Sequence, residues 1–495
     1  MSAMERVSTR TVAFISALGI SLLTAIGPAS AASAQEPSWS PAVDVTMLEL
    51  SQYSPNPQLA VSGVGRTVAV WSGYDGQDFS IQTKWSDDAG LTWSPSYDLS
   101  DRGSYATPPK LTVDPTGRVI AVWTLSYGTT YFVQSNFSDD GGATWSMPVD
   151  VTEGTSFIGD TAVAFDSSGN AIAVWSEDLG SGYTIRSSRS TDDGASWSSP
   201  VNVSASAYAA SPQLATDPAG NAIVVWNQND GVNDIIRASN STDGGVTWAS
   251  PTSISASGQT SYGQQLTVDA SGRAIAVWYG TDGSKFVVRS SSSDDAGATW
   301  SSAQELSSSS GDSFNPIVKF ISPGRAVSSW SSAEGSDVIV ETRWTDDGGV
   351  TWQAPIAAAT APGEVYGIRY VIDSRGNMML VWHRSDGVSS NIAQYTLSLD
   401  GGLTWADATD LSGAPVSISY MSVSVDSLDR GTLLWSAFLG DSYVLQSRTL
   451  SSPSNPALPN TGMSDEPVFT AITVGLLGIG LGAVALVAWS RRRSS

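Results

Sequence analysis

Short apolar stretches recur along this chain, and eight of them close on a tryptophan: Val68 to Trp71, then runs closing at Trp123, Trp175, Trp226, Trp278, Trp330, Trp382 and Trp435. The intervals are 52, 52, 51, 52, 52, 52 and 53 residues. Runs this short, bounded by turn residues and with no helical period between them, predict strands. A fixed period predicts a repeat architecture. A glycine stands five residues after each tryptophan, from Gly76 to Gly440, where it frees the backbone for a hairpin turn. Asp75-Gly76, Asp230-Gly231, Asp282-Gly283 and Asp386-Gly387 are hairpin signals. Six residues before the tryptophan lies another glycine in seven units, Gly65 through Gly376, and five of those turns read Asp-x-x-Gly-[Arg/Asn]. The eighth unit has Asp429 there, a residue that tolerates a left-handed backbone.

Each unit therefore reads as four strands. In the fourth unit they fall at Pro212–Thr216, Ala222–Trp226, Asp234–Ser239 and Pro251–Ser255. The expected fold is all-β: a single β-propeller of about eight four-stranded blades over residues 35–450. Seven or nine blades would require one unit to be misassigned. Closure is legible too. Trp39-Ser40-Pro41-Ala42-Val43-Asp44-Val45-Thr46 is similar to Trp145-Ser146-Met147-Pro148-Val149-Asp150-Val151-Thr152, and the last unit stops after its third strand near Tyr443–Leu450. The N-terminal strand is expected to complete the last blade, leaving no open sheet edge.

Between the third and fourth strands sits Ser86-Asp87-Asp88-Ala89-Gly90-Leu91-Thr92-Trp93. It returns at Ser138–Trp145, Ser190–Trp197, Ser241–Trp248, Ser293–Trp300, Thr345–Trp352 and Ser398–Trp405. Its fixed residues are Asp88 and Trp93, Asp140 and Trp145, Asp192 and Trp197, Asp243 and Trp248, Asp295 and Trp300, Asp347 and Trp352, and Asp400 and Trp405. This pattern, S-x-D-x-G-x-[TS]-W, resembles the Asp box, or BNR repeat, of sialidases and several other propeller families, and covers roughly residues 39 to 450. An aspartate here accepts hydrogen bonds from turn amides, the glycine supplies a bend, and the tryptophan fills space between sheets. The resemblance implies that the boxes are structural and that substrate, in relatives, binds on the opposite face.

On that opposite face an aromatic recurs near the start of each first strand: Tyr53, Tyr105, Phe157, Tyr208, Tyr262, Phe314, Tyr366 and Tyr420. Rings around a central opening suit stacking on sugars; the same repeated position equally suits wedging between blades. For an enzyme, the resemblance implies an arginine cluster, a tyrosine nucleophile polarised by a glutamate, and an acid/base aspartate. The arginine-led Arg-Ile-Pro motif of many sialidases is absent. The candidate catalytic set is Glu364, Tyr366 and Arg369, with Tyr370 beside them and Arg384 two residues past Trp382, although strand alternation divides such residues between faces. Arg66, Arg118, Arg273 and Arg325 follow turn glycines on the box side, and Arg186, Arg237 and Arg289 share a third-strand position that suggests bridging between blades. His383 is the single histidine and is expected to be solvated. With no cysteine and no EF-hand or RTX spacing, no metal site and no cofactor are expected.

The ends of the chain change the setting. Arg6 and Arg10, the apolar run Val12 to Ile26 and Ala32-Ser33-Ala34 read as a signal peptide over residues 1–34 rather than a permanent anchor. After a short linker at 451–457 come Leu458, Pro459, Asn460, Thr461 and Gly462, an apolar stretch at 468–489 and Arg491 to Arg493. Together, residues 458–495 resemble an LPXTG sorting signal rather than an ordinary single-pass anchor. That resemblance implies a sortase that cleaves after Thr461 and joins it to peptidoglycan, with only a transient membrane stage. The expected location is secreted, covalently attached to the cell wall of a Gram-positive bacterium. The chain expected to remain carries 19 basic and 44 acidic side chains, a balance that argues against nucleic acid as a partner.

Two functional readings follow. One is a wall-displayed, non-catalytic propeller that binds carbohydrate or a protein partner, which the regular repeat spacing favours. The alternative is an exo-acting glycoside hydrolase of sialidase type.

Overall fold

The computed structural model describes residues 38–47, 53–205, 208–385, 391–412 and 417–451. The expected signal peptide, sorting motif, apolar stretch at 468–489 and Asp386-Gly387 hairpin lie outside these residues. Among the described residues no helix is long and apolar enough to cross a membrane.

Eight antiparallel meanders form eight blades of a β-propeller. Counting from the first box, blade 1 holds Gln58–Val61, Thr67–Tyr74, Phe79–Ser86 and Tyr97–Asp98. Blade 4 shows the repeat in full, with Ala209–Thr216, Ala222–Asn229, Asp234–Ser241 and Thr252–Ser253. Its first three strands outrun the sequence reading, and its fourth is shorter. Second strands continue for three residues past their tryptophan, to Asp178 in blade 3 and Asn229 in blade 4, and there the polar side chain two residues on accepts from the indole. Trp226 Nε1 donates to Gln228 Oε1 at 3.1 Å, and Trp175 Nε1 donates to Glu177 Oε2 at 3.0 Å.

The core lies between neighbouring blades. All eight second-strand tryptophans are fully buried. Trp226 packs on Ile172, Val174 and Ile185 of the preceding blade. Every such contact is made twice around a ring, once with each neighbour, so no blade has a free hydrophobic face. Blade 2 is the irregular one. Its first strand is split into Tyr105–Ala106 and Lys110–Val113, since Pro108 and Pro109 supply no N–H for the ladder.

Closure occurs as expected. Val43–Met47 pairs antiparallel with Tyr443–Leu450, beside Gly431–Phe438 and Ser417–Val425. Trp39 bridges Leu450, and Ser451 N donates to Ser38 O at 3.0 Å. The closing strand also reproduces a repeated side-chain pair. Gln446 Nε2 donates to Asp44 Oδ1 at 2.9 Å, as Gln82 does to Asp98 at 3.0 Å and Gln134 to Asp150 at 2.8 Å.

Candidate functional site

Strand direction divides each blade into two ends. First strands begin, second strands end and third strands begin at one face, here called the mouth. The turn between the first two strands and the Asp box share the other. Contacts confirm this sharing: Arg66 Nε donates to Asp87 Oδ1 at 2.7 Å within its blade, and Nη1 donates to Asp140 O of the next box at 2.9 Å. Arg118 links Asp139 and Asp193 in the same way, and Arg325 reaches Asp346 and Gly401. Arg273 lies against Gly348 of the next box. These arginines are on the box face.

All seven boxes share one hydrogen-bond pattern. In the first, Asp88 Oδ1 accepts from Thr92 N at 2.8 Å and Ser86 Oγ at 2.7 Å, Oδ2 accepts from Thr92 Oγ1 at 2.6 Å, and Gly90 N donates to Ser86 Oγ at 2.7 Å. Burial alone would raise the Asp88 carboxyl's proton affinity, but these bonds to the charged form outweigh it and hold the pKa below the ordinary value. Asp400 is lowered to about 2 by the same balance. The box tryptophan inserts toward the preceding blade: Trp93 Nε1 donates to Ser447 Oγ at 3.0 Å, and Trp248 Nε1 to Ser187 Oγ at 2.8 Å. Asp429 adopts φ 59° in its turn and accepts from Ser374 N of blade 7 at 2.8 Å.

At the mouth the eight expected aromatics are all in place, and six of them are exposed, from 37% for Phe157 to 65% for Tyr208. Tyr262 and Phe314 are half-buried. They alternate with aromatics at the starts of third strands. Ring centroids run Tyr53 to Phe79 at 5.3 Å, Phe79 to Tyr105 at 6.3 Å, Tyr105 to Tyr131 at 6.2 Å and Tyr131 to Phe157 at 5.4 Å. Tyr183 continues the line at 5.6 Å from Phe157 and 6.2 Å from Tyr208. One continuous arc of rings thus crosses blades 1 to 4. They contact across blades, as wedges do, while keeping exposed surface, as binding rings do. The arc breaks where blade 4 places Asp234 at the third-strand start; that carboxylate accepts from Tyr262 Oη at 2.8 Å and raises the phenol's pKa. A shorter arc of Tyr262, Tyr279, Phe286 and Phe314 follows.

The candidate catalytic set is partly assembled. Tyr366 Oη donates to Glu364 Oε2, and Tyr366 stacks on His383 with centroids 5.5 Å apart. A cavity of about 370 Å³ opens beside them, lined by Asp312, Phe314, Asn315, Glu364 and Tyr366 among others. Arg369 sits further along the strand, past a bulge between Tyr366 and Arg369, in the central channel. Arg384 is not with them. Adjacent strand residues alternate sides, so while His383 stacks under Tyr366, Arg384 approaches Asp410 of its own blade at 3.8 Å. Tyr370 turns to blade 6 and donates to Val327 O at 3.2 Å.

His383 differs from the expectation of a solvated side chain. It lies beneath Tyr366 and Gly367, and its Nδ1 is buried without a hydrogen-bond partner. Burial, then the Arg369 charge, lower its pKa to about 4, so the ring is neutral at pH 7. Arg186, Arg237 and Arg289 also differ from expectation. Each sits opposite its blade's core tryptophan and bonds within that blade: Arg186 to Pro200 O, Arg237 to Pro251 O, Arg289 to Thr281 O. Other blades place Gln82 or Gln394 there, each accepting from the indole.

The central channel holds what the sequence reading missed. A cavity of about 360 Å³ is walled at one level by a residue from every first strand: Gln58, Lys110, Ala162 and Gln213, then Gln265, Ile317, Arg369 and Ser422. These occupy one register position, each paired with the residue before the core tryptophan, as in Lys110 with Val122 and Arg369 with Val381. Counting back from each tryptophan across its hairpin would have found them. Lys319, two residues beyond Ile317, follows on the same side of its strand toward the box face.

Fold and boxes together define an eight-bladed β-propeller built on Asp-box repeats. Residues 65–280 match the family model of the BNR repeat-like domain. The box geometry itself continues beyond that match, to Asp400. No curated protein matches the sequence. Among solved structures, it is similar to the Hadza microbial sialidase Hz136 at 18% identity and a TM-score of 0.39, covering 57% of this chain and 64% of that one. It is also similar to a PL25 ulvan lyase at 12% identity and a TM-score of 0.48, covering 75% and 98%. The NanB sialidase of Streptococcus pneumoniae follows at 12% identity and a TM-score of 0.39, covering 83% and 70%.

Proposed function

We propose that this chain is a surface-displayed, non-catalytic propeller that binds carbohydrate on its mouth face. The observation that supports this most is the exposed aromatic arc from Tyr53 to Tyr208, since rings fixed against one another offer sugar faces a stacking surface at little entropic cost. Rim tyrosine hydroxyls add hydrogen bonds. Display rests on the terminal segments: a signal peptide over 1–34, and a sortase reading Leu458 to Gly462 and joining Thr461 to peptidoglycan. Binding is tested by retention of the chain on immobilised cell-wall and plant polysaccharides. Loss of retention in Tyr105→Ala and Tyr183→Ala supports the reading, and retention unchanged in both refutes it. Display is tested by replacing Thr461 with alanine, which should move the protein from the wall fraction to the membrane or medium.

A second reading, an exo-acting glycoside hydrolase of sialidase type, is favoured by one observation, the hydrogen bond from Tyr366 to Glu364 beside a cavity. Against it, Arg369 is the single arginine among the described residues lining the channel cavity. Release of fluorophore from a fluorogenic sialoside, abolished by Tyr366→Phe, would reverse the ranking.

A further inference from the structure

The channel wall departs in charge from the rest of the molecule. The whole chain carries a net charge of −23, yet the two ionisable residues of the eight-residue level, Lys110 and Arg369, are both cationic, and Lys319 adds a third cation one step deeper. Among the described residues the side-chain ammonium groups of Lys110 and Lys319 make no hydrogen bond and no ion pair. Arg369 donates through Nη1 to Ile368 O at 2.9 Å, leaving its other donors free. Gln213 and Gln265, at the same level, have side-chain amides without a partner.

Surrounding protein makes all three cations costly. Burial lowers the pKa of Lys110, Lys319 and Arg369, and the Arg369 charge lowers Lys110 further. One carboxylate, Asp160 of blade 3, acts in the opposite sense on Lys110. It forms no ion pair with the lysine and is held by Ser211 Oγ at 2.9 Å. Cations gathered around one channel with a single carboxylate, not ion-paired to them, are relieved by an anion that brings its own charge and acceptors.

We propose that the central channel is an anion-binding site in which Lys110 and Arg369, assisted by Lys319 and the amides of Gln213 and Gln265, hold a carboxylate or an inorganic oxyanion. The ligand chemistry is a compact group of anionic oxygens. It is supplied either by a free ion or by the acid group of an acidic sugar, and the glutamine amides add donors that a carboxylate or sulfate accepts. The site stands apart from the aromatic rim, so the two readings fail separately: Tyr105→Ala should leave anion binding intact.

Calorimetric titration of the full chain with sodium sulfate, sodium glucuronate and glucose tests this. Both anions should bind at one site per chain and compete, whereas glucose should not bind there. Lys110→Gln and Arg369→Gln should each weaken binding about tenfold, and Arg375→Gln, in a box-face turn, should leave it unchanged. Glucuronate binding alone identifies an acidic sugar as the source, and sulfate binding alone identifies a free oxyanion. If neither anion binds the unaltered chain, the proposal is overturned whatever the variants do. Binding unchanged in folded Lys110→Gln and Arg369→Gln, with folding checked by circular dichroism, overturns it equally.

Discussion

The two faces of this propeller are made by the same repeat, yet they obey different constraints. On the box face all seven boxes use the same acceptor pattern, and the left-handed residue after each aspartate is glycine in four of them. At the mouth blades 4 to 7 share one first-strand bulge, yet the side chains there differ: Asp234 replaces the aromatic at the third-strand start of blade 4, and Pro108 and Pro109 split the first strand of blade 2. The lesson is a division of labour: one face stabilises the ring identically in each blade, which leaves the other free to diversify.

Five substitutions, two of them paired, sharpen or break that contrast. Trp226→Ala, in the shared core, should cost about 3–5 kcal/mol in urea unfolding, the largest effect, because the indole is fully buried between blades. Tyr105→Ala with Tyr183→Ala should weaken polysaccharide binding about tenfold or more while changing stability little, both rings being partly exposed. A large stability loss instead would make the arc a structural wedge. Asp243→Ala should cost about 1–2 kcal/mol and leave binding untouched, since its acceptors all serve the box. Arg66→Gln, an exposed pair with Asp87, should cost under about 1 kcal/mol.

Acid separates the faces as well. The box aspartates have folded pKa values below the unfolded value of 3.8, about 2 for Asp400. A depressed carboxyl contributes stability that is fully present above its unfolded pKa and is lost as pH falls through the folded one. The carboxylate contribution to the urea midpoint should hold level above roughly pH 5 and fall between about 4 and 2, with a smaller fall in Asp400→Asn. His383 acts at higher pH: burial, then the Arg369 charge, lower its pKa from 6.5 to about 4, so the unfolded chain takes up the proton first and stability declines as pH falls from about 6.5 to about 4.

Much of this fold could be read from spacing. The tryptophan period gave the blade count, Asp429 stood in for a turn glycine as expected, and the likeness of Trp39–Thr46 to Trp145–Thr152 gave the closing strand. These succeed because each rule is local: a turn needs a particular φ, and a box needs a particular acceptor. The site was less legible. The rim positions were visible as one aromatic per unit, but the arc needed Phe79, Tyr131 and Tyr183 from a different strand, and only the assembled ring interleaves them. Arg384 looked close to Tyr366 in sequence, yet strand alternation sent it to the other side of the sheet. The channel cations Lys110 and Arg369 were overlooked because they lie three blades apart, although both stand at the same distance before their core tryptophan.

The clasp between Val43–Met47 and Tyr443–Leu450 has a consequence in time. Gln446 and Asp44, hydrogen-bonded across it, stand 402 residues apart, so the first blade-forming segment to emerge must wait for the last before either is satisfied. Until Tyr443–Leu450 arrives, Val43–Met47 has no partner, and the neighbours it should seal remain unsealed. Ring completion is therefore a single late event, and a chain cut short before Tyr443 loses the final latch rather than one blade among eight. Because synthesis runs from the N-terminus, maturation is timed by the arrival of the last strand.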